Sequence, residues 1–353
     1  PVWLKINQWH LGSRQCHLAC SHQFGQDKMD AVLAPLRGET SYGTVAALCA
    51  FLLLVLGLAV EVGTPLVRGI LSILPVGKRY EKLEVQSGKS VGQEVSSGLI
   101  VAFQHALAAG STWLGARSSS PELLRLGLVA EVAIRAHDLV LAATGLRQHA
   151  GAPALGRAFV ILYDLTGIAL AVPAAVTYAT DADVQLLCAV LVCSGAALAM
   201  LGPAQYALNP TTSAGCKFAL ALQTIYLLIF VWCRFAFGLI SYRGIYSRVM
   251  SSLQAHSASS AYVFAVGIFG VSFAYSGFVA FLWFKQARKT RQAITKIKHL
   301  RKWFAQNAKD KPEEDIQDHI WKNVKFGEVL VSSPAAMIYA RLKSGGKGFG
   351  KKA

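Results

Sequence analysis

The sequence predicts an all-α protein whose helices form a polytopic transmembrane bundle of about seven spans. Hydrophobic residues make up 54% of the 353-residue chain and charged residues only 15%, whereas an ordinary soluble domain has roughly 25% charged residues. The mean hydropathy of +0.41 indicates that the apolar surplus extends along most of the chain. This composition excludes a typical soluble enzyme, a disordered chain and a coiled coil.

Besides the composition and the mean hydropathy, a series of apolar segments predicts this fold. Each segment reaches the roughly 20 residues that a helix needs to cross the hydrocarbon core. The third segment contains Glu131, Arg135, His137 and Asp138, and ionised groups in lipid must be satisfied within the protein. We therefore expect this helix to face other helices. The predicted spans are residues 44–62, 97–116, 122–145, 155–180, 183–203, 216–242 and 261–284.

Small residues lie along the last predicted span and allow close helix approach. Pro173 and Pro203 each remove a backbone hydrogen bond, which is tolerated where protein or a cavity satisfies the freed groups. The small residues are Gly267, Gly270, Ser272, Ser276 and Gly277.

The segments flanking the bundle differ in charge. Residues 1–43 precede the bundle, and we expect residues 1–28 to be a leader or presequence because Met29 opens a plausible start. Residues 44–284 form the bundle, and residues 285–353 are predicted to be a basic cytoplasmic tail. The net charge of +16 is concentrated in this tail and in the loops on the same side, so the positive-inside rule places the C-terminus in the cytoplasm and the N-terminus across the membrane.

Residues 285–303 carry Lys and Arg throughout, with no acidic residue. Ile294, Ile297, Leu300 and Phe304 recur at helical spacing on one face. This pattern predicts a basic amphipathic helix on an anionic membrane surface, and the alternative is a solvated anchor beside the membrane that only sets topology. Nucleic-acid binding would need a groove or stacking aromatics in addition to charge, so no nucleic-acid partner is predicted.

The cysteines and short motifs predict no metal and no cofactor. Most of the seven cysteines lie in or beside apolar segments and are typical of small buried hydrophobes. Cys16 and Cys20 form a C-x3-C spacing that matches neither a zinc finger nor a haem attachment. Phosphate-binding, serine-hydrolase and zinc-protease motifs do not occur in the sequence.

Ionisable residues inside the predicted spans are candidate sites, because a charge at the bilayer centre costs at least ~2.5 kcal/mol. Glu131 and Arg135 are four residues apart on one helix face, so one hypothesis is a structural ladder of ion pairs. The other hypothesis is a general acid/base group in a lipid-lined cavity. Its members would be Asp138 and His137 with either His105 or His149.

Asp164 is an equally good candidate. Its only basic partner nearby in sequence is Arg157, seven residues earlier and about two helical turns away. A cavity near Asp138, Asp164 and His149 is therefore the predicted site.

Four short motifs follow one another along the predicted bundle. His105 lies in LIVAFQHAL, Asp138 in AHDLVL, Arg234 in FVWCRF and Trp283 in FLWFKQAR. Their order and spacing over residues 97–290 resemble the TLC (TRAM-LAG1-CLN8) domain family, a multi-pass fold that includes the ceramide synthases. The resemblance implies a lipid-related function and a location in the endoplasmic reticulum.

One departure from the family pattern concerns catalysis. Catalytic ceramide synthases carry adjacent histidines downstream of the aspartate-bearing helix, and the corresponding residues here are Gln148, His149 and Ala150. A single histidine cannot divide base and acid roles with a neighbour. The departure favours a divergent, TLC-like protein that binds a lipid or acyl chain and influences membrane lipid composition.

Two alternatives remain open. The first is a ceramide-synthase-like N-acyltransferase that uses acyl-CoA, and the second is a non-catalytic subunit of a larger membrane complex. Membrane lipids are the predicted partners, joined by acyl-CoA or by membrane proteins under these alternatives. The candidate residues are His149, Asp138 and Asp164 for catalysis and His105, His137 and Arg234 for lipid binding.

Overall fold

The described part of the chain folds into helices joined by turns and contains no β-strand. In this computed structural model, residues 33–38, 40–74, 80–83, 90–144, 154–254, 258–269, 275–308 and 310–330 are described.

The helices vary widely in length. After a short 3-10 turn at Ala34–Leu36 come α1 to α10, and α10 is followed by a single helical turn at Phe326–Val329. A π-helical turn at Trp232–Ala236 joins α6 and α7 into one continuous rod. The helices are α1 Tyr42–Ile73, α2 Val91–Ser118, α3 Pro121–Thr144, α4 Ala154–Val176, α5 Ala182–Ala204, α6 Ser213–Val231, α7 Phe237–Gln254, α8 Ala258–Phe269, α9 Tyr275–Asn307 and α10 Glu313–Val324.

Side-chain caps begin four of these helices. Ser41, Ser90, Thr212 and Asp181 precede α1, α2, α6 and α5, and each accepts hydrogen bonds from backbone N–H groups of the first turn. These N–H groups have no partner within the helix, so a side-chain oxygen at this position stabilises the helix start by about 1 kcal/mol.

Helices α2 to α5 form the centre of the bundle. Helix α2 packs along α5 and α3, α3 also packs along α4, and α1 lies against α2 and α3. Helix α8 packs on α4, while α9 packs on α6 and α10. Close approach depends on glycine where a side chain would overlap backbone: a Cβ on Gly267 would lie 2.5 Å from the Leu170 nitrogen. The prediction that Gly267 allows close packing is confirmed.

The outward faces of the helices are apolar. On α1, Phe51, Leu54 and Leu58 are 62–65% exposed, and a long exposed apolar face is typical of lipid contact. Among the described residues, four helices are long and apolar enough to cross a membrane: α1, α2, α5 and the segment Ser213–Phe235. The chain is therefore a helical membrane protein.

The number of seven spans is not confirmed. The third predicted span forms α3. This helix contains more charged residues than the composition of a membrane-spanning helix allows. The apolar parts of α4 and α8 cover only Ile161–Val176 and Ser259–Ile268. The last predicted span, residues 261–284, falls on two helices, α8 and α9, and residues 270–274 between them lie outside the described part.

The basic segment after Lys285 belongs to α9, so the predicted boundary at residue 285 falls inside a helix. The apolar face predicted there exists, since Ile294, Ile297 and Phe304 are buried. Ile294 and Ile297 belong to a core cluster with residues of α2, α6 and α10. Protein rather than a membrane surface covers this face, because α10 supplies the matching apolar side chains Ile320, Trp321 and Val324.

Polar contacts tie the elements together at each end of the bundle. At one end, Arg248 of α7 pairs with Asp181 at 2.5 Å and with Asp183, both at the start of α5. At the other end, the Tyr80 hydroxyl donates to the carbonyl of Tyr206, just beyond α5. The Tyr206 hydroxyl in turn donates to the carbonyl of Leu330 at 3.4 Å. Polar contacts therefore fix both ends of α5 to neighbouring elements.

Candidate functional site

Four ionisable side chains meet between α2, α3 and α4, and we call them the ionic centre. Nδ1 of His105 lies 3.1 Å from Oε2 of Glu131, and Nη2 of Arg135 lies 2.8 Å from Oε1 of the same carboxylate. Nη1 of Arg135 lies 3.6 Å from Oδ1 of Asp164. All four residues are near the middle of their helices and are at most 15% exposed at the side chain. The centre therefore lies deep in the bundle, where charges must be paired.

The local sequence explains this geometry. Glu131 and Arg135 are one helical turn apart, which brings their side chains together on one face of α3. Gly167 of α4 leaves room for the guanidinium, because a Cβ there would lie 2.5 Å from Nη1 of Arg135. The Tyr163 ring lies 5.2 Å from the guanidinium carbon of Arg135 and adds a cation–π contact. Arg135 is thus enclosed by two carboxylates and an aromatic ring.

The centre combines the carboxylates of Glu131 and Asp164 with the guanidinium of Arg135 and the imidazole of His105. Asp138 lies within electrostatic range of His105 as well. The structure therefore brings the predicted residues His105, Asp138 and Asp164 into one region, joined by the ion pair of Glu131 with Arg135.

The remaining predicted site residues are His137, Arg234 and His149, and the ionic centre does not include them. His137 faces α1, where its Cδ2 is 3.6 Å from the position of a Cβ on Gly57, and its Nδ1 lies 4.0 Å from Oδ1 of Asp138. Arg234, in the π-helical turn, is buried; its Nε donates to the Ser194 hydroxyl at 3.0 Å. Arg234 therefore holds the turn against α5. His149, a predicted catalytic residue, lies outside the described residues, so its place relative to the ionic centre stays a prediction.

Two buried hydrogen-bond donors face each other on α6 and α9, and we call them the donor pair. The rings of Tyr226 and Trp283 have centroids 5.0 Å apart at 63°, and the two residues are 3% and 0% exposed. Neither the Tyr226 hydroxyl nor the Trp283 indole nitrogen has a hydrogen-bond partner among the described residues. Such groups are uncommon in folded proteins, because a buried polar group without a partner costs about 1–3 kcal/mol.

Aromatic side chains link the donor pair to the rest of the bundle. Phe230 lies 5.8 Å from Tyr226, and Phe159 of α4 lies 5.1 Å from Phe278 of α9. Tyr163, which contacts Arg135, stacks on Phe159 with the ring centroids 6.5 Å apart. Phe159 in turn packs against the apolar cluster that contains the donor pair. In the sequence, Tyr226 and Trp283 are each flanked by apolar residues, and this pattern does not reveal that their donors lack partners.

A second polar cluster holds the described C-terminal segment in place. Nε2 of Gln223 donates to Oε1 of Gln205 at 2.6 Å, and the Thr290 hydroxyl donates to Oε1 of Gln223 at 2.8 Å. The Val329 carbonyl accepts from Gln286 and, at 3.2 Å, from Gln223. These buried groups satisfy one another, so we assign this cluster to the docking of the turn at Phe326–Val329.

Searches of protein-family models, curated proteins and solved structures found no match to this chain. Within the described residues, no group of three or more His, Cys, Asp or Glu side chains could hold a metal ion. The ionic centre and the donor pair are therefore the candidate functional features of the described residues.

Proposed function

We propose that the helix bundle binds a lipid or acyl chain beside the donor pair, and that the protein influences membrane lipid composition through this binding. The observation that carries the proposal is the pair of buried donors, Tyr226 and Trp283, without acceptors among the described residues. An indole N–H can only donate, so its natural partner is an acceptor oxygen. The ester and amide carbonyls of membrane lipids are such acceptors.

The surroundings of the donor pair suit an acyl chain. Phe230, Val279 and Leu282 belong to the same apolar cluster as Tyr226 and Trp283, and Phe159 packs against it from α4. Binding sites for small ligands commonly combine apolar walls with a few placed polar groups. The carbonyl would be held by the donors, and the chain would lie along the aromatic and aliphatic side chains.

The ionic centre has a supporting role in this proposal. Its ion pairs fix α2, α3 and α4 relative to one another, and the Tyr163 ring lies against both the Arg135 guanidinium and the Phe159 ring. We also propose that the bundle is of the TLC type and that the protein resides in the endoplasmic reticulum. The support is the sequence motifs that contain His105, Asp138 and Trp283.

The test uses the full chain in detergent micelles containing a trace of phosphatidylcholine with a diazirine on one acyl chain. After irradiation, mass spectrometry should find the label on buried parts of α6 and α9 near Tyr226 and Trp283. Tyr226→Phe and Trp283→Phe should each lower this labelling several-fold, because each variant removes a donor.

Two matched controls separate donor loss from general effects. Tyr178→Phe removes another buried tyrosine hydroxyl without a partner among the described residues, and Trp303→Phe shortens an exposed tryptophan. Both should keep wild-type labelling. Labelling confined to the outer faces of the helices, or unchanged in the Tyr226→Phe and Trp283→Phe double variant, would reject the proposal.

A further inference from the structure

A groove of about 420 Å³ opens between the C-terminal part of α1 and the start of α2. It is separate from the ionic centre and the donor pair. Its lining includes Thr64, Arg68, Gly69, Ser72, Glu81 and Gln93.

The groove contains an ordered pair of opposite charges. Arg68 contacts Glu81 through two nitrogens: Nε donates to Oε1 at 2.9 Å, and Nη2 pairs with Oε2. The Ser90 hydroxyl donates to Oε2 at 3.2 Å. Gly92 permits this approach, because a Cβ there would lie 2.3 Å from Oε1 of Glu81. The carboxylate is therefore fixed at the N-terminal end of α2, where the helix dipole favours a negative charge.

Both charged groups keep capacity for a ligand. Their side chains are 44% and 24% exposed, and Nη1 of Arg68 makes no hydrogen bond with the described residues. The Thr64 hydroxyl is buried in the groove lining and has no partner among those residues either. The groove thus offers an accessible guanidinium and an accessible carboxylate to one occupant.

The flank of the groove is apolar. Leu66, Ile70 and Ile73 on α1 are 64–75% exposed. Arg68 lies a few residues beyond the predicted first span, residues 44–62, and this span predicts a position for Arg68 near the lipid headgroups. A phospholipid has a polar headgroup and apolar acyl chains. The groove could contact the headgroup, and the exposed apolar face of α1 could contact the acyl chains.

We propose that this groove binds the headgroup of a zwitterionic phospholipid of the phosphoethanolamine type. The phosphate contacts Nη1 of Arg68, since guanidinium groups bind phosphate oxygens well. The ammonium group donates to the carboxylate of Glu81. Because the charges of Arg68 and Glu81 cancel, the groove matches a headgroup without net charge better than an anionic one.

Gly69 provides the steric test, because a Cβ at this position would meet no atom within 4 Å. The Cβ of Gly69→Phe therefore has open space, and because Gly69 lines the groove, the ring should occupy part of it. Gly110→Phe on α2 is the matched control, since Gly110 is also an exposed helical glycine with open space at its Cβ position. Any effect shared by both variants reflects helix propensity or added surface rather than the groove.

The experiment reconstitutes the full chain in nanodiscs containing equal fractions of phosphatidylethanolamine, phosphatidylcholine and phosphatidylglycerol. After extraction into mild detergent, native mass spectrometry counts the retained lipids. Wild type should retain phosphatidylethanolamine preferentially, and Gly69→Phe should lower its occupancy about fivefold, with no change in Gly110→Phe. Preferential retention of phosphatidylglycerol, or equal occupancy in the two glycine variants, would overturn the proposal.

A second variant tests the ammonium contact. Glu81→Gln should remove the preference for phosphatidylethanolamine over phosphatidylcholine, because the amide is uncharged and attracts the ammonium group only weakly. An unchanged preference would also overturn the proposal. Tyr226→Phe should leave the preference intact, so failure of the groove and failure of the donor pair are distinguishable.

Discussion

The guanidinium of Arg135 occupies a space that is free only because residue 167 is a glycine. A Cβ on Gly167 would lie 2.5 Å from Nη1 and 2.6 Å from Cζ of Arg135. A flexible arginine could ordinarily move away, but Glu131 and Asp164 hold this guanidinium from two sides. The two ion pairs and the glycine therefore depend on one another.

Gly167→Ala should destabilise the protein, because the added methyl group forces Arg135 away from its partners. We expect a loss of about 1–3 kcal/mol, measured as a lower thermal midpoint in detergent. Gly110→Ala is the control: its Cβ meets no atom within 4 Å, and alanine favours a helix over glycine. A Gly167→Ala protein as stable as the Gly110→Ala protein would contradict the expected clash.

Glu131→Gln should be more damaging than Asp138→Asn. The amide leaves Arg135 with Asp164 alone, and removing one partner of a buried pair costs about 3–5 kcal/mol. The Asp138 side chain is 23% exposed, against 3% for Glu131, so its substitution should disturb fewer buried contacts. Thermal unfolding of both variants in the same detergent compares them, and equal losses would mean that Glu131 is not central.

The pH dependence of the groove is set by Glu81. The hydrogen bond from Arg68 holds the pKa of this carboxyl below its ordinary value of 4.5. A lowered pKa in the folded state means that the ionised group stabilises the fold above the unfolded-state pKa, and that this stabilisation is lost as the pH falls through the folded-state pKa.

The stability difference between wild type and Glu81→Gln should therefore be constant from neutral pH to about pH 5. It should shrink only in more acidic solution. Thermal midpoints over a pH series in one detergent test this, and a difference that disappears near neutral pH would assign the stabilisation to another group.

The sequence could predict part of the ionic centre. The spacing of Glu131 and Arg135 indicated an ion pair on one face, and the chain forms that pair. His105 and Asp164 join the ionic centre from two other helices, α2 and α4. Residue spacing along α3 does not indicate which helices pack against it. Trp283 appeared only as part of a motif, since an unpaired indole N–H becomes visible only once its neighbours are known.

At the scale of elements, α9 has two environments. Its first part packs on α6 beside the donor pair, and its basic part places Ile294 and Ile297 against a core formed with other helices. The amphipathic pattern correctly predicted an apolar face but not its partner, because lipid and an apolar helix select for the same residues. Helix α10, which covers this face, is mostly polar in sequence and gave a weaker signal.

Ile297→Ala should destabilise the fold by about 2–5 kcal/mol, as expected for a large apolar side chain truncated in a core. Ile297 is 0% exposed. The neighbouring Lys298→Ala is the control, since Lys298 is exposed and should affect thermal unfolding little. If Ile297→Ala instead weakened liposome binding and left unfolding unchanged, the face would lie on a membrane.

At the scale of the whole molecule, an apolar surface surrounds the bundle and basic charge gathers at one end. The exposed basic residues of α9 lie at the end that contains Tyr206, whereas the other end has acidic partners for Arg248 in Asp181 and Asp183. The composition predicted the membrane class correctly. The number of spans was harder to predict, because α3 carries charged residues that pair with neighbouring helices, and its own hydropathy does not mark it as a span.

The charge distribution predicts that the end containing α10 faces the cytoplasm. Lys302 of α9 and Ser118 at the end of α2 are both exposed and lie at opposite ends of the bundle. In a cysteine-free background and sealed microsomes with their cytoplasmic face outward, Lys302→Cys should react with a membrane-impermeant maleimide. Ser118→Cys should react only after the microsomes are permeabilised. The opposite pattern would reverse the orientation.

The π-helical turn at Trp232–Ala236 has a consequence for changes in chain length. Successive residues of an α-helix are about 100° apart around the axis, so deleting one residue within this turn would rotate all of α7 relative to α6. Arg248 would then leave Asp181 and Asp183, although no residue in that contact had been altered. Homologous chains should therefore preserve the length of this rod more strictly than its residue identities, and a deletion here should be accompanied by an insertion before Arg248.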